Sequence, residues 1–328
     1  MKHMTMRAVV LSQPGPVTNL RLTSMPIPEP AEGWVRIRVH AAGMNRSELH
    51  TRLGFAGDSV QMPRVLGIEA VGVIDADSSG TFAIGTQVAT MMGGMGRTFD
   101  GGYAEYTCVP IEQVIPFTSS LPWEVLGAVP EMLQTSYGTL SVGLDAKSGQ
   151  SILIRGGTSS VGMTIAVLAK SMNMTVISTT RDPKKGERLR EIGVDHVIID
   201  DGKVAEKVHA VYPDGVDAAV ELVGTPTLRD TLSATRMHGT VCFTGMLSNE
   251  WTVKDFYPID YLPRGVRLTA YSGESKDLPA PVLQHFLDQV ANGSATAPLD
   301  RSFCLDEVQQ AHALMESDQA CGKLVLLT

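Results

Sequence analysis

The chain has 328 residues, of which 43% are hydrophobic and 19% are charged, and its mean hydropathy is +0.05. This balance excludes disorder along the whole chain, and the length indicates about two domains. The formal net charge of −8 argues against a broad basic surface for nucleic acid and against a polybasic membrane contact. No run approaches the ~20 apolar residues of a membrane span, and no signal-peptide pattern opens the chain, so we expect a cytoplasmic protein.

The cysteines are widely spaced along the chain. They are Cys108, Cys242, Cys304 and Cys321, and no two of them form a C-x-x-C pair. This spacing argues against a disulfide framework and against a cysteine zinc knuckle. We therefore expect reduced and mostly buried thiols.

The first third of the sequence has the pattern of short strands separated by Gly and Pro turns. Residues 34–41 alternate, with Val35, Ile37 and Val39 on one face and polar side chains on the other, which predicts a half-exposed strand. Similar strands are predicted at 7–11, 69–74, 87–92 and 103–109. A helix is predicted to begin near Asn45.

The middle of the chain alternates strands and helices. Nearly continuous apolar strands are predicted at 151–155, 175–180, 196–199, 216–223 and 240–244, with helical stretches between them. This order predicts an α/β fold with a doubly wound parallel sheet. Two later helices, at 281–291 and 305–316, and a strand at 323–327 do not make a domain alone. We therefore expect a dinucleotide-binding domain at 123–265, inserted between 1–122 and 266–328 of the other domain.

A glycine-rich stretch follows the strand at 151–155 and precedes a helix. Against the pattern G-x-G-x-x-G, the first glycine is Gly157, the last is Gly162, and Ser159 takes the middle position. The helix N-terminus offers N–H groups to a pyrophosphate, and the Ser159 hydroxyl can donate to it as well. A plain strand-to-helix turn is the alternative interpretation. The residues predicted to bind the dinucleotide are Gly157, Thr158, Ser159, Ser160, Val161 and Gly162.

The end of the next strand, at 175–180, selects the cofactor. An NAD-specific dehydrogenase usually has Asp or Glu here, whereas this chain has hydroxyl groups and cations, which fit the 2′-phosphate of NADPH. Asp182 competes as a ribose ligand, but its position before Pro183 indicates a helix N-cap. A solvated helix face is the alternative for the cations. The residues predicted to bind this end of NADPH are Thr179, Thr180, Arg181 and Lys185.

Four further motifs surround this loop in order. They are AAGMNRSE at 41–48, LGIEAVG at 66–72, GGYAEY at 101–106 and GKLVL at 322–326. With them the chain resembles the medium-chain dehydrogenase/reductase superfamily over nearly its full length, and within it the zinc-independent quinone oxidoreductase branch. The resemblance implies a GroES-like catalytic domain around a Rossmann doubly wound parallel sheet, and a homodimer.

Two positions distinguish this chain from the zinc-dependent alcohol dehydrogenases of the same superfamily. Those enzymes have Cys where this chain has Asn45 and His where it has Ile68. Zinc favours Cys, His and carboxylate ligands, so only Glu69 remains and no zinc site is expected. A buried structural role is the alternative for this carboxylate.

Without zinc, no Lewis acid polarises the substrate, so activated acceptors fit best. These are quinones, or C=C bonds conjugated to a carbonyl. The resemblance places Asn45 beside the nicotinamide ribose and the substrate, although a turn asparagine is an equal alternative from the sequence. Arg46 is a candidate for stabilising a developing oxyanion, or is a surface residue. Related enoyl-thioester reductases carry a tyrosine acid where this chain has Ala56, so no general acid is identified.

The resemblance implies further cofactor contacts at the ends of strands and in the C-terminal motif. For each of these residues, the alternative interpretation is a loop residue without a cofactor contact. They are Thr135, Val223, Gly224, Phe243, Thr244, Gly245, Met246 and Lys323. The predicted function is NADPH-dependent reduction of small-molecule quinones or α,β-unsaturated carbonyls. The alternatives are an enoyl-thioester reductase and a cofactor-binding structural or regulatory protein without turnover.

Overall fold

The computed structural model describes residues 4–328 of the chain. Within them the strands are β1 (Thr5–Leu11), β2 (Leu20–Pro26), β3 (Trp34–Gly43), β4 (Arg64–Val65), β5 (Glu69–Asp77), β6 (Gln87–Met91), β7 (Tyr106–Pro110), β8 (Val114–Pro116), β9 (Ser151–Arg155), β10 (Thr175–Thr180), β11 (His196–Ile199), β12 (Val216–Glu221), β13 (Thr235–Phe243), β14 (Arg267–Ala270), β15 (Leu299–Cys304) and β16 (Lys323–Leu327). The α-helices are α1 (Arg46–Leu53), α2 (Trp123–Ala128), α3 (Pro130–Gly138), α4 (Ser160–Ser171), α5 (Gly186–Glu191), α6 (Val204–Val211), α7 (Thr225–Ser233), α8 (Pro258–Tyr261), α9 (Ala280–Ala291) and α10 (Val308–Glu316).

The chain folds into two compact units. The first unit runs to Glu131 and resumes from Glu274 to Thr328, and the second is Met132–Gly273. These divisions differ from the predicted ones after residues 122 and 265 for two physical reasons. Helix α2 packs on β3 and β16 of the first unit, and β14 hydrogen-bonds to β13 of the second.

The first unit is built on two sheets. One has the order β2-β1-β4, and the other has the order β15-β16-β3-β5-β6-β8, with β7 also paired to β3. The alternation in β3 is confirmed, because Val35, Ile37 and Val39 are buried while Arg38 is exposed. The helix predicted near Asn45 is confirmed as α1. This unit corresponds to the GroES-like domain that the resemblance implies.

The second unit is a single parallel sheet with the order β11-β10-β9-β12-β13-β14. In order of appearance this is 3-2-1-4-5-6, the Rossmann order, so the predicted doubly wound sheet is confirmed. Every residue of the central strand β9 is buried, as its continuous apolar pattern predicts. Because all strands are parallel, the carboxyl ends of β9, β10, β12 and β13 lie along one edge of the sheet.

All four cysteines are free, and their reduced state stays a prediction. The prediction that they are mostly buried is wrong. Only Cys242, on β13 of the parallel sheet, is buried, while Cys108 and Cys321 are partly exposed and Cys304 is exposed. Cys304 ends β15, which is the outermost strand of its sheet. Within residues 4–328, no helix has the length and apolar character needed to cross a membrane.

Candidate functional site

The turn between β9 and α4 has the local geometry of a dinucleotide loop. Gly156 adopts φ +86°, a conformation that glycine enters without strain. The Ser159 hydroxyl accepts a hydrogen bond from the Gly162 N–H (3.1 Å) and donates to the Gly156 carbonyl (2.8 Å). Ser159 is therefore the N-cap of α4, and its single hydroxyl proton is used within the loop. Donation from this hydroxyl to a phosphate stays a prediction.

Two glycines of this turn have no room for a side chain. A Cβ on Gly157 would lie 1.8 Å from the Ser178 Oγ and 3.0 Å from the Thr179 carbonyl, and one on Gly162 would lie 2.7 Å from the Gly156 carbonyl. The turn therefore packs closely on the end of β10, as a dinucleotide loop requires. The first N–H groups of α4 have no partner within the helix, because helical bonding begins four residues on. The residues present fit a dinucleotide whose pyrophosphate lies at this N-terminus.

The hydroxyl groups at the end of β10 hold the chain itself. The Thr179 Oγ1 accepts from the Gly156 N–H (3.1 Å), and the Thr180 Oγ1 accepts from the Asp182 N–H (3.1 Å) and donates to the Asp182 carbonyl (3.0 Å). Both threonines are buried. Asp182 accepts from the Lys184 N–H (2.9 Å), which confirms its predicted capping role.

The cations next to this strand end lie at the surface. Arg181 and Lys184 are exposed and Lys185 is partly exposed, and the two lysines end the short helical turn that Asp182 caps. Asp182 acts as a cap, and the positive charge of these cations attracts an anion to this strand end.

A buried carboxylate shapes the loop after β12. The Glu221 Oε1 accepts from the N–H groups of Val223 (2.7 Å) and Gly224 (2.9 Å) and from the Thr227 hydroxyl (2.9 Å), and its Oε2 accepts from the Thr231 hydroxyl (2.6 Å). Burial raises the pKa of Glu221, and the donors on Thr231, Gly224 and Thr227 oppose that shift. Sequence reasoning missed Glu221, although a lone acid at the end of an apolar strand was a visible signal.

The loop after β13 lies beside the loop after β12. The N–H groups of Thr244 and Gly245 donate to the Glu221 carbonyl at 3.0 and 3.1 Å. The Thr244 Oγ1 lies 3.1 Å from the Thr139 Oγ1, which donates to the Thr135 carbonyl at 2.7 Å. The structure therefore brings together three segments that the resemblance predicted separately. Phe243 is the last residue of β13, and Met246 is in the loop that follows.

Arg155 is the last residue of β9 and lies at the same edge of the parallel sheet. Its side chain is fully buried and pairs with Asp200 and, at 2.6 Å, with Asp230. Asp230 also accepts from the Val204 N–H at the start of α6 (2.9 Å). Sequence reasoning missed this network, because its three members are far apart in the chain.

In the first unit, Asn45 is the N-cap residue of α1 and belongs to a buried polar cluster. The Asn45 N–H donates to the Glu48 Oε2 (3.0 Å), and the Glu48 Oε1 accepts from the Ile68 N–H (2.8 Å). The N-x-x-E spacing is that of a capping box, so a sequence signal for Glu48 was present but unused. Burial raises the pKa of Glu48 to about 7, although the Ile68 N–H and the ammonium of Lys323 favour its charged form.

Lys323 lies at the centre of this cluster. Its Nζ donates to the Asn45 Oδ1 (2.5 Å), the Glu69 Oε1 (2.6 Å) and the Glu131 Oε2 (3.2 Å). The side chains of Lys323 and Glu69 are both fully buried. Burial would lower the pKa of Lys323, but the carboxylates of Glu69 and Glu131 raise it. Burial raises the pKa of Glu69, and the ammonium opposes that shift.

The residues at this position do not fit a zinc ion. The Glu69 Oε1 also accepts from the Asn45 Nδ2 (3.0 Å), and its Oε2 accepts from the Glu131 N–H (2.9 Å). Both oxygens are therefore used by hydrogen-bond donors, and the neighbouring Ile68 offers no ligand atom. Within residues 4–328, no group of three or more His, Cys, Asp or Glu side chains is arranged to hold a metal ion.

Arg46 lies outside the buried cluster. It is the first residue of α1, its side chain is 25% exposed, and it pairs with Asp318. The predicted site residues of the first unit thus differ in environment. Asn45 and Lys323 are buried and bonded to each other, whereas Arg46 is at the surface of the unit.

Comparison with known proteins agrees with this arrangement. Residues 31–119 match the family described as Alcohol dehydrogenase GroES-like domain, and residues 192–326 match the one described as Zinc-binding dehydrogenase. The probable quinone oxidoreductase of Schizosaccharomyces pombe is 26% identical over 97% of this chain and 96% of its own. Prostaglandin reductase-3 of Mus musculus is 26% identical over 98% of this chain and 89% of its own. The crystal structure of AibC has a TM-score of 0.88 at 27% identity, covering 99% of this chain and 96% of that one.

Proposed function

Since this chain belongs to the quinone oxidoreductase-like branch of the medium-chain dehydrogenase/reductase superfamily, we propose that it is an NADPH-dependent, zinc-independent reductase. Its proposed substrates are quinones or α,β-unsaturated carbonyl compounds. The observation that carries the proposal is the donor set at Asn45, Ile68 and Glu69. An ammonium and an amide use the carboxylate there, so the acceptor must be one that takes a hydride without a metal Lewis acid.

The second unit supplies the proposed cofactor site. The turn before α4 and the first residues of this helix, together residues 157–162, receive the pyrophosphate. Arg181 and Lys185, at the end of β10, receive the 2′-phosphate, which an uncharged or acidic strand end would not attract. When bound, the nicotinamide supplies the hydride. The proposed contacts along the rest of the cofactor are Thr135, Val223, Gly224, Phe243, Thr244, Gly245 and Met246.

The first unit supplies the polar groups proposed to act on the substrate. Asn45 offers an amide N–H to the substrate oxygen, and the partly exposed guanidinium of Arg46 stabilises the negative charge that develops on it. Since Ala56 stands where related enoyl-thioester reductases carry a tyrosine acid, the proton is proposed to come from solvent. Activated acceptors suit this arrangement because their charge needs only hydrogen-bond stabilisation.

Cofactor preference is tested with Arg181→Ala and, as the matched control, Arg188→Ala. Arg188 is a surface arginine of α5 that pairs with Glu191. We expect the ratio of kcat/KM for NADPH over NADH to fall at least tenfold in Arg181→Ala and to stay constant in the control. An unchanged ratio in Arg181→Ala would show that the 2′-phosphate is not bound here.

The substrate class is tested by following NADPH oxidation with quinones, alkenals and enoyl thioesters. We expect turnover with quinones or alkenals. Turnover with enoyl thioesters alone would favour the enoyl-thioester reductase. Quenched cofactor fluorescence without turnover on any acceptor would favour a binding protein. We further propose that the enzyme is a cytoplasmic homodimer, and the molar mass in solution measured by light scattering tests the dimer.

A further inference from the structure

We propose that Lys323 is a positioning residue that holds the side-chain amide of Asn45 in one orientation, and that it is not a ligand of the cofactor. This inference rests on the proposed function, since it gives Lys323 a role in the action of Asn45. It departs from the resemblance, which places Lys323 in contact with the cofactor.

The ammonium of Lys323 is saturated by the protein itself. It has three N–H donors, and it has three acceptors within 3.2 Å, on Asn45, Glu69 and Glu131. Its side chain has no exposed surface. A phosphate oxygen would therefore have to displace a carboxylate or an amide oxygen from a buried, paired charge.

The same contacts fix which way the amide of Asn45 points. Its Oδ1 accepts from the Lys323 ammonium, and its Nδ2 donates to the Glu69 Oε1 at 3.0 Å. The reversed orientation would place the NH2 group against the ammonium and the oxygen against a carboxylate. Two repulsive contacts would then replace two charge-assisted hydrogen bonds.

One hydrogen of the Asn45 amide is weakly held in this arrangement. The nearest acceptor for the second Nδ2 hydrogen is the Glu48 Oε1, at 3.5 Å, which is at the limit of a hydrogen bond. This hydrogen is the one that a substrate oxygen would take up. Lys323 thus acts through Asn45, by keeping the donor side of the amide turned away from the ammonium.

The backbone around the cluster leaves room for the Glu69 carboxylate. A Cβ on Gly43 would lie 2.2 Å from the Glu69 Oε1 and 2.7 Å from the Gly127 carbonyl. Only a residue without a side chain leaves room for the carboxylate that pairs with Lys323. The position of Glu69, and through it that of the ammonium, is therefore set by close packing from β3 and α2.

The test uses the full-length protein with three variants. Lys323→Met leaves Glu69 buried without its cation and is expected to unfold at a lower temperature. Lys323→Met/Glu69→Gln removes both charges, which keeps the fold testable. Lys276→Met, at an exposed lysine of the same unit, is the matched control. For each protein we would measure the Kd of NADPH by fluorescence, and kcat and KM with the best acceptor.

For the double variant we expect kcat to fall about 10- to 100-fold, because a misplaced donor costs that much, while the Kd of NADPH stays within about twofold. A Kd raised tenfold or more, with kcat retained, would assign Lys323 to the cofactor and overturn the inference. If neither quantity changes, Lys323 is only structural and the inference fails as well.

The orientation of Asn45 can also be followed without turnover, so that failure of the proposed function stays distinguishable. The side-chain NH2 resonances of Asn45, assigned by their loss in Asn45→Asp, report the hydrogen bonds of the amide in spectra of ¹⁵N-labelled protein. We expect slow exchange with solvent in the wild type and fast exchange in the double variant. Equal exchange in both proteins would contradict the role of Lys323, whatever the substrate is.

Discussion

The buried carboxyl group of Glu48 makes the stability of the first unit depend on pH. Burial raises its pKa from an ordinary value of 4.5 to about 7 in the folded protein, while in the unfolded chain the group is solvated. The folded state therefore favours the protonated form. Its contribution to stability is complete below pH 4.5 and is lost as the pH rises through 7.

The size of the effect follows from the two pKa values. A difference of about 2.5 corresponds to about 3 kcal/mol of unfolding free energy, lost between pH 4.5 and pH 8. The side chain in Glu48→Gln stays uncharged at every pH, so this variant does not lose that unfolding free energy. Its amide NH2 replaces one oxygen that accepts from the N–H groups of Asn45 and Ile68, which costs about 1–3 kcal/mol at every pH. The variant is therefore less stable than the wild type in acid. As the pH rises, the unfolding free energy of the wild type falls relative to that of the variant.

The assay is urea unfolding of both proteins between pH 4.5 and pH 8.5, followed by tryptophan fluorescence. A Trp251→Phe background leaves Trp34 and Trp123, both in the first unit, as the reporters. We expect the difference in unfolding free energy to move by about 3 kcal/mol in favour of Glu48→Gln over this range. Glu32→Gln, at an exposed acid, should show no such change. A difference that is constant with pH would show that the pKa of Glu48 is ordinary and refute the reasoning.

Three further substitutions test the second unit. Arg155→Met leaves two aspartates without their cation and should lower the unfolding free energy by about 3–5 kcal/mol in chemical denaturation, whereas a loss below about 1 kcal/mol would contradict a paired buried charge. Gly157→Ala drives a Cβ against the Ser178 Oγ and should raise the Kd of NADPH at least tenfold by fluorescence titration. Adding Ser178→Ala should restore much of the affinity, and no recovery would show that the contact is not the cause. Glu221→Gln cannot accept from all four donors, so it should weaken cofactor binding and lower the Tm, and unchanged binding would exclude a role in shaping the loop.

The regular elements were accessible from the sequence because local patterns determine them. The continuous apolar run of β9 and the β-branched residues of β10 predict both strands with their observed ends. The strand predicted at 240–244 is longer in the structure, where β13 begins at Thr235. The additional residues include charged and exposed ones, and only Thr235 among them pairs with β12, across an irregular register.

The candidate site was accessible only in part. Motifs located Asn45, Glu69 and Lys323 one by one, but nothing in the sequence placed their side chains in contact. Ion pairs between residues far apart in the chain depend on strand register and burial. Here the register of β16 against β3 and of β3 against β5 determines which of these side chains come into contact. The capping role of the Ser159 hydroxyl was not predicted for a similar reason, since its backbone partners come close only in the folded loop.

The resemblance to the superfamily implied that Asn45 and Ile68 replace zinc ligands. The sequence by itself determined the α/β class, the parallel order of strands and helices, and the glycine loop after β9. These features depend on residue type and spacing, which the chain carries directly. The tertiary structure alone decided that the ammonium of Lys323 lies buried between Glu69 and Asn45. Burial makes the difference, because a lysine is ordinarily a solvated cation. Once excluded from water, it must satisfy each of its donors from the protein.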